Sequence, residues 1–244
     1  MKKIILASGL LALAATGNAF ALNIDSFTDF QTTGGNGATT VYQDLDFSLT
    51  PAGSDFDERD FTVSVGLNPS SQNTALTSSV GAISFSKGPN SYASWDVLWT
   101  LLSGNELDFT ENGTQNQIKY QVKENNAPFA DIIFDILDSD GTHANYSVDN
   151  VPFILSGSPQ DYMFNFSSFV IDMAGATAGL DFTKITELSL HVDGTDAGNG
   201  ADLQFAFIKT DYIPPPQSAP EPVSLGMIGL GLAGMATLRR RKKS

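Results

Sequence analysis

The sequence predicts an all-β protein: an antiparallel β-sandwich, jelly-roll-like, over residues 22–212, set between an N-terminal signal peptide and a C-terminal hydrophobic segment. Three observations predict it. Apolar and polar residues alternate in several separate stretches, which is the period of a strand with one wet face. Clusters of Gly, Asn, Asp, Ser and Pro punctuate the chain about every ten residues, as turns between short strands require. No window of the central region carries the apolar stripe of an amphipathic helix.

The leader comes first. Lys2 and Lys3 precede an apolar run from Ile4 to Ala15, and Ala19-Phe20-Ala21 fits the small-x-small site of signal peptidase, so the mature chain is expected to begin near Leu22. "QTTGGNGATT" (31–40) reads as a flexible loop. Alternation then predicts strands carrying Val41, Gln43, Leu45, Phe47 and Leu49; Phe61, Val63, Val65 and Leu67; Ile118, Tyr120 and Val122; Leu188, Leu190 and Val192; and Leu203, Phe205 and Phe207. "DVLWTLL" (96–102) and "ADIIFDIL" (130–137) are apolar on nearly both faces and read as central strands. "IPPPQSAPEP" (213–222) is a proline-rich spacer. At about 3.1 Å per residue it extends roughly 30 Å.

The last segment, 223–244, is a candidate sorting or anchor helix. Val223 to Leu238 carry no charge, and Arg239, Arg240, Arg241, Lys242 and Lys243 follow. Sixteen residues at about 1.5 Å each give a helix of roughly 24 Å, short of a ~30 Å hydrocarbon core. Basic residues that snorkel, with some thinning of the bilayer, make a short transmembrane span feasible. The basic cluster marks the cytoplasmic side and would leave residues 22–222 facing outward. Gly226, Gly229, Gly231 and Gly234 make the helix closely packable.

Pro220, Glu221 and Pro222, the apolar span and the terminal basic cluster, in that order at the end of the chain, resemble the PEP-CTERM sorting signal of Gram-negative bacteria. That resemblance covers only the C-terminal ~25 residues. It implies recognition of the tail by an inner-membrane exosortase, transient membrane association, and removal of the tail to leave a protein at the cell surface or secreted. It gives an address and is silent on the activity of the domain.

Between the two signals the charge is strongly one-sided. Of 13 basic residues two lie in the leader and five in the tail, and of 27 acidic residues only Glu221 lies outside the domain, so six face 26 for a net charge of −20. Such a field excludes a nucleic-acid reader and favours cations and neutral or basic partners. The chain has no cysteine, hence no disulfide, thiol nucleophile or thiolate metal site.

No catalytic motif is present, and the domain reads as non-enzymatic. The two histidines, His143 and His191, read as solvent-facing residues, and acidic pairs such as Asp44/Asp46 and Asp55/Asp57/Glu58 are expected from abundance alone. Two turn-rich loops offer oxygen ligands of the kind Ca²⁺ prefers: Asp138 and Asp140 in one, and Asp193, Asp196, Asn199 and Asp202 in the other. Tyr92, Trp95 and Trp99 are the aromatic candidates for sugar stacking, although Trp95, Val97 and Trp99 form an apolar face suited to a core. The expected role is an exosortase-sorted envelope or extracellular-matrix component, structural or adhesive, associated with exopolysaccharide or biofilm. A carbohydrate-binding module and a glycoside hydrolase with a hidden acidic pair are the alternatives.

Overall fold

The computed structural model describes residues 21–35, 40–44, 51–52, 54–67, 73–126, 130–175, 179–195 and 199–213. Residues 1–20 of the 1–21 leader, most of the spacer and the whole hydrophobic tail lie outside them. Within them run strands β1 (Asn23–Asp25), β2 (Gln31–Gly35), β3 (Thr40–Asp44), β4 (Glu58–Leu67), β5 (Thr74–Ser79), β6 (Ala82–Pro89) and β7 (Tyr92–Thr100). The chain continues with β8 (Gln117–Asn125), β9 (Asp131–Asp138), β10 (His143–Val148), β11 (Gln160–Asn165), β12 (Val170–Met173), β13 (Ile185–Asp193) and β14 (Asn199–Asp211).

The strands form two antiparallel seven-stranded sheets, so the protein is all-β as the alternation predicts. Sheet A has the order β11-β8-β14-β6-β5-β2, with β1 pairing to β14 beyond the end of β6; sheet B has the order β12-β10-β9-β13-β7-β4-β3. Inward side chains of both sheets make one core, as the edge-on packing of Phe85 from β6 on Trp95 from β7 (6.1 Å, 78°) illustrates. Tyr120 of β8 meets Phe134 of β9 at 5.3 Å across the same interface. The two segments read as central strands, β7 and β9, are indeed interior to sheet B.

One end of the sandwich is closed by a buried polar cluster that the sequence did not advertise. Arg59 of β4 and Asp25 of β1 are both fully buried and pair at 2.7 Å. Arg59 also donates to Gln31 Oε1 (3.0 Å) and to Ser78 Oγ (2.9 Å), and Gln31 Nε2 donates to the Arg59 carbonyl (3.1 Å). Asp25 Oδ2 takes a second donor, the indole N–H of Trp99, at 2.8 Å, while Oδ1 accepts the Phe27 amide at 2.7 Å. With both charges and their neighbours hydrogen-bonded, the cost of desolvation is met locally, and five strands are tied to one guanidinium and one carboxylate.

That cluster explains one departure from the sequence reading. Residues 31–35, read as loop, form β2 and pair with β5. The buried Gln31 side chain anchors the start of the strand, and Gly34 lets the backbones approach so closely that a Cβ there would sit 2.1 Å from the Thr74 carbonyl oxygen. A second departure concerns β3, which is an edge strand in the opposite phase: Val41 is 59% exposed, whereas Tyr42 packs on the core. Leu45, Phe47 and Leu49 lie outside the described residues.

Candidate functional site

Two wet faces flank the sandwich, and each gathers side chains that are far apart in sequence. On the outer face of sheet B the two histidines lie among carboxylates. His143 Nδ1 and Asp172 Oδ1 are 2.6 Å apart, with Asn145 donating to Asp172 Oδ2 (3.4 Å) and Asp135 Oδ1 3.8 Å from His143 Nε2. One strand further on, Ser189 donates to Asp135 Oδ2 (3.3 Å), and His191 Nδ1 lies 2.6 Å from Asp96 Oδ1. A shallow depression of about 50 Å³ opens between them, lined by Asp135, His143, Glu187 and Ser189. Burial pushes the Asp135 carboxyl up even with His143 beside it.

The Asp96 contact raises the His191 imidazole above its ordinary value, against partial burial, which lowers it. A folded pKa above the unfolded one, ~6.5 for a free histidine, stabilises the fold fully below that unfolded value. The contribution is lost as pH rises through the folded value. Asp96→Asn should therefore destabilise the protein at about pH 5.5 and have a smaller effect at about pH 8.5. Urea melts of both proteins at the two pH values read this directly, and equal losses at both would contradict it.

The outer face of sheet A owes its character to a pair of bulges. In β14, Phe205 and Phe207 face Val122 and Gln121 of β8, so one extra residue, Ala206, is accommodated; in β8, Glu124 and Val122 face Gln204 and Phe205, so Lys123 is the extra residue there. The two insertions cancel, and the register downstream is restored. The inward phase of β14 shifts with them: Leu203 and Phe205 are buried before the bulge, Ile208 and Thr210 after it. Phe207, expected to share the inward face of Leu203 and Phe205, is instead half-buried on the wet side, with Lys209 Nζ 5.5 Å from its ring centroid. A bulge re-aims a side chain in this way because it adds one residue to a period of two. Across Gln121 from Phe207, two strands away, Asp161 of β11 is held by Lys119 Nζ and Gln121 Nε2, each at 2.7 Å.

The residues singled out from sequence are distributed differently. Trp95 and Trp99 are 1% and 0% exposed, so neither offers a ring face to a sugar; the apolar face that they share with Val97 packs inward. Gly194 roofs Trp95 so tightly that a Cβ there would lie 2.5 Å from the indole. Tyr92 is exposed at the start of β7.

Of the calcium candidates, Asp138 is buried and accepts the backbone amides of Asp140 (3.0 Å), Thr142 (2.8 Å) and Asp181 (3.0 Å). Asp193 caps the Thr195 amide (2.8 Å), and Asp202 exchanges hydrogen bonds with Asn126 at 2.6 and 3.1 Å. Asp138 pairs with Ile185 at one end of β13 and Asp193 is the other end. At about 3.3 Å per residue the two loops are roughly 26 Å apart, so they cannot share an ion. Asp196 and the Asn199 side chain lie outside the described residues. Among the described residues no three His, Cys, Asp or Glu side chains converge to hold a metal. In the acidic run at 55–58, Asp55 accepts the Asn23 amide (2.7 Å), Asp57 accepts the Leu102 amide (2.8 Å), and Glu58 begins β4.

Comparison with known proteins bears on the C-terminus. Residues 218–242 match the family described as PEP-CTERM protein-sorting motif. The chain carries a PEP-CTERM sorting signal. The PEP-CTERM tail marks it as an exported, sorted protein. It spans Pro220, Glu221 and Pro222, the apolar segment and all but the last of the basic residues Arg239–Lys243. Among the described residues no helix is long and apolar enough to cross a membrane; the PEP-CTERM tail itself lies outside them.

No curated protein matches the chain. Among solved structures, the family 11 carbohydrate-binding module of a cellulosomal cellulase of Clostridium thermocellum is similar at 13% identity, covering 82% of this chain and 98% of its own, with a TM-score of 0.40. A family 30 carbohydrate-binding module (13%, 79% and 98%, 0.39) and an agarase (11%, 80% and 30%, 0.39) are similar to the same extent.

Proposed function

We propose that this PEP-CTERM protein is a non-enzymatic β-sandwich delivered across the inner membrane of a Gram-negative bacterium, anchored by its tail until an exosortase processes it. It then serves as a structural or adhesive component of an exopolysaccharide matrix. The observation that carries this reading is the sorting motif at 218–242, placed behind a proline-rich spacer and an independently packed, strongly acidic domain. A net charge of −20 over residues 22–212 keeps such a domain soluble at high surface density and repels anionic polymers.

Intact-mass measurement on envelope and matrix fractions tests it. The mature chain is expected to begin near Leu22 and, in a host with an exosortase, to end near Pro222. Recovery of a chain with both Met1 and Ser244 would overturn the export route. A second reading, a carbohydrate-binding module, is favoured by one observation, the outward Phe207 and the polar groups around it.

A further inference from the structure

We infer that the outer face of sheet A is a binding site for an uncharged pyranose polysaccharide. Phe207 is its stacking platform, and Asp161, Gln121, Lys119 and Lys209 are its hydroxyl partners. The inference rests on the exopolysaccharide reading above and adds the ligand class and the site.

Four structural features converge on that face. The first is the cost of the platform. A phenylalanine in a strand whose phase would bury it gains apolar burial by going inward, yet the β14 bulge turns this one out. Among the described residues its ring contacts no core aromatic, and Lys209 Nζ lies over it.

The second is a pre-organised acceptor. Lys119 and Gln121 hold the Asp161 carboxylate from both oxygens and keep its carboxyl below the usual range, so it stays an acceptor at any ordinary pH. The third is the placement of cations. Of the six basic residues between Leu22 and Tyr212, Arg59 and Lys87 are buried and Lys184 stands in a turn near Asp181; Lys119, Lys123 and Lys209 all belong to β8 and β14 of this sheet. Lys119 and Lys209 are even directly opposed across the strand pair. Like charges so placed are unfavourable, which is a cost that Asp161 offsets and that folding alone does not require.

The fourth is geometry. Met163, 50% exposed, is opposite Lys119 on β11, so β11, β8 and β14 present an apolar residue, a polar row and an aromatic ring side by side. At about 4.8 Å between strands the patch is roughly 10 Å wide, enough for two sugar rings.

The chemistry selects the ligand. The C–H face of a pyranose ring matches the accessible part of a half-buried phenyl ring, and its hydroxyls need donors and acceptors together, which ammonium, amide and carboxylate groups supply. A polyanion would find lysines here but would approach a domain of net charge −20, and Asp161 would oppose it at the site.

Affinity electrophoresis of the full chain tests the site in native gels containing hydroxyethylcellulose, laminarin, galactan, mannan or dextran, with polygalacturonate as the carboxylated control. At least one uncharged polymer should slow migration and polygalacturonate should not. Phe207→Ala should weaken retardation about tenfold, and Asp161→Asn several-fold. Phe207→Leu, which keeps apolar bulk without the ring, gives the same reading if the alanine variant melts early, and Phe207→Tyr should retain binding. No retardation by any uncharged polymer, retardation by polygalacturonate alone, or binding that survives both Phe207→Ala and Asp161→Asn overturns the inference. A chain found in the matrix fraction of cells that binds none of the polymers removes this site and leaves the matrix role standing. A chain absent from that fraction removes the role itself.

Discussion

Arg59→Ala should cost about 3–5 kcal/mol of folding stability, because it leaves the fully buried Asp25 carboxylate without its countercharge. The loss is not only electrostatic. Arg59 also stacks over Phe61 (5.1 Å from the ring centroid), and its removal takes away the donors that Gln31 Oε1 and Ser78 Oγ accept from it. The double variant Arg59→Met/Asp25→Asn should recover part of the loss, since a neutral pair of similar volume carries no buried charge to desolvate. Urea unfolding of the three proteins decides it. A loss below ~1 kcal/mol in the single variant would mean that water reaches the carboxylate and that the cluster is not dry.

Changing the tail should have an all-or-none effect on maturation and almost none on the fold. Replacing Pro220, Glu221 and Pro222 together with alanine should abolish C-terminal processing, so that the chain accumulates some 22 residues longer and membrane-associated. Replacing Arg239 to Lys243 with glutamine should loosen retention by removing the charges that hold the end on the cytoplasmic side. Mass spectrometry of membrane and surface fractions reads both. Normal processing of the alanine variant would show that the recognised feature lies elsewhere in 218–242. In either variant the melting temperature of the sandwich should stay unchanged, because its core is built from side chains between Leu22 and Ile208.

Much of the strand inventory was legible because a half-buried strand writes its environment into the sequence at a period of two. β4, β8 and β13 follow it: Phe61, Val63 and Val65, Ile118, Tyr120 and Val122, and Leu188, Leu190 and Val192 are all inward. The same rule failed in β3 and in the second half of β14. An edge strand feels little pressure to keep its phase, and one extra residue in a bulge reverses every later side chain. Trp95 and Trp99 illustrate the limit from the other side. Their spacing showed that they share a face, and composition favoured the core, but only the second sheet packed over them decided it.

By itself, then, the sequence determined whatever depends on local order along the chain. That comprises the all-β class, the charge of the domain, the absence of thiol chemistry and the three-part tail that addresses the protein. A sorting signal is read as a linear segment, so linear information suffices. The tertiary structure decided what depends on residues distant in sequence becoming neighbours. It buried Arg59 against Asp25, 34 residues away, and brought His143 to Asp172 across adjacent strands. It also lined up Phe207, Gln121 and Asp161 across β14, β8 and β11, with Lys119 paired to Asp161, through two bulges whose positions no periodicity announces. Strand order and register are properties of the whole chain's packing, and the candidate sugar-binding face is made of nothing else.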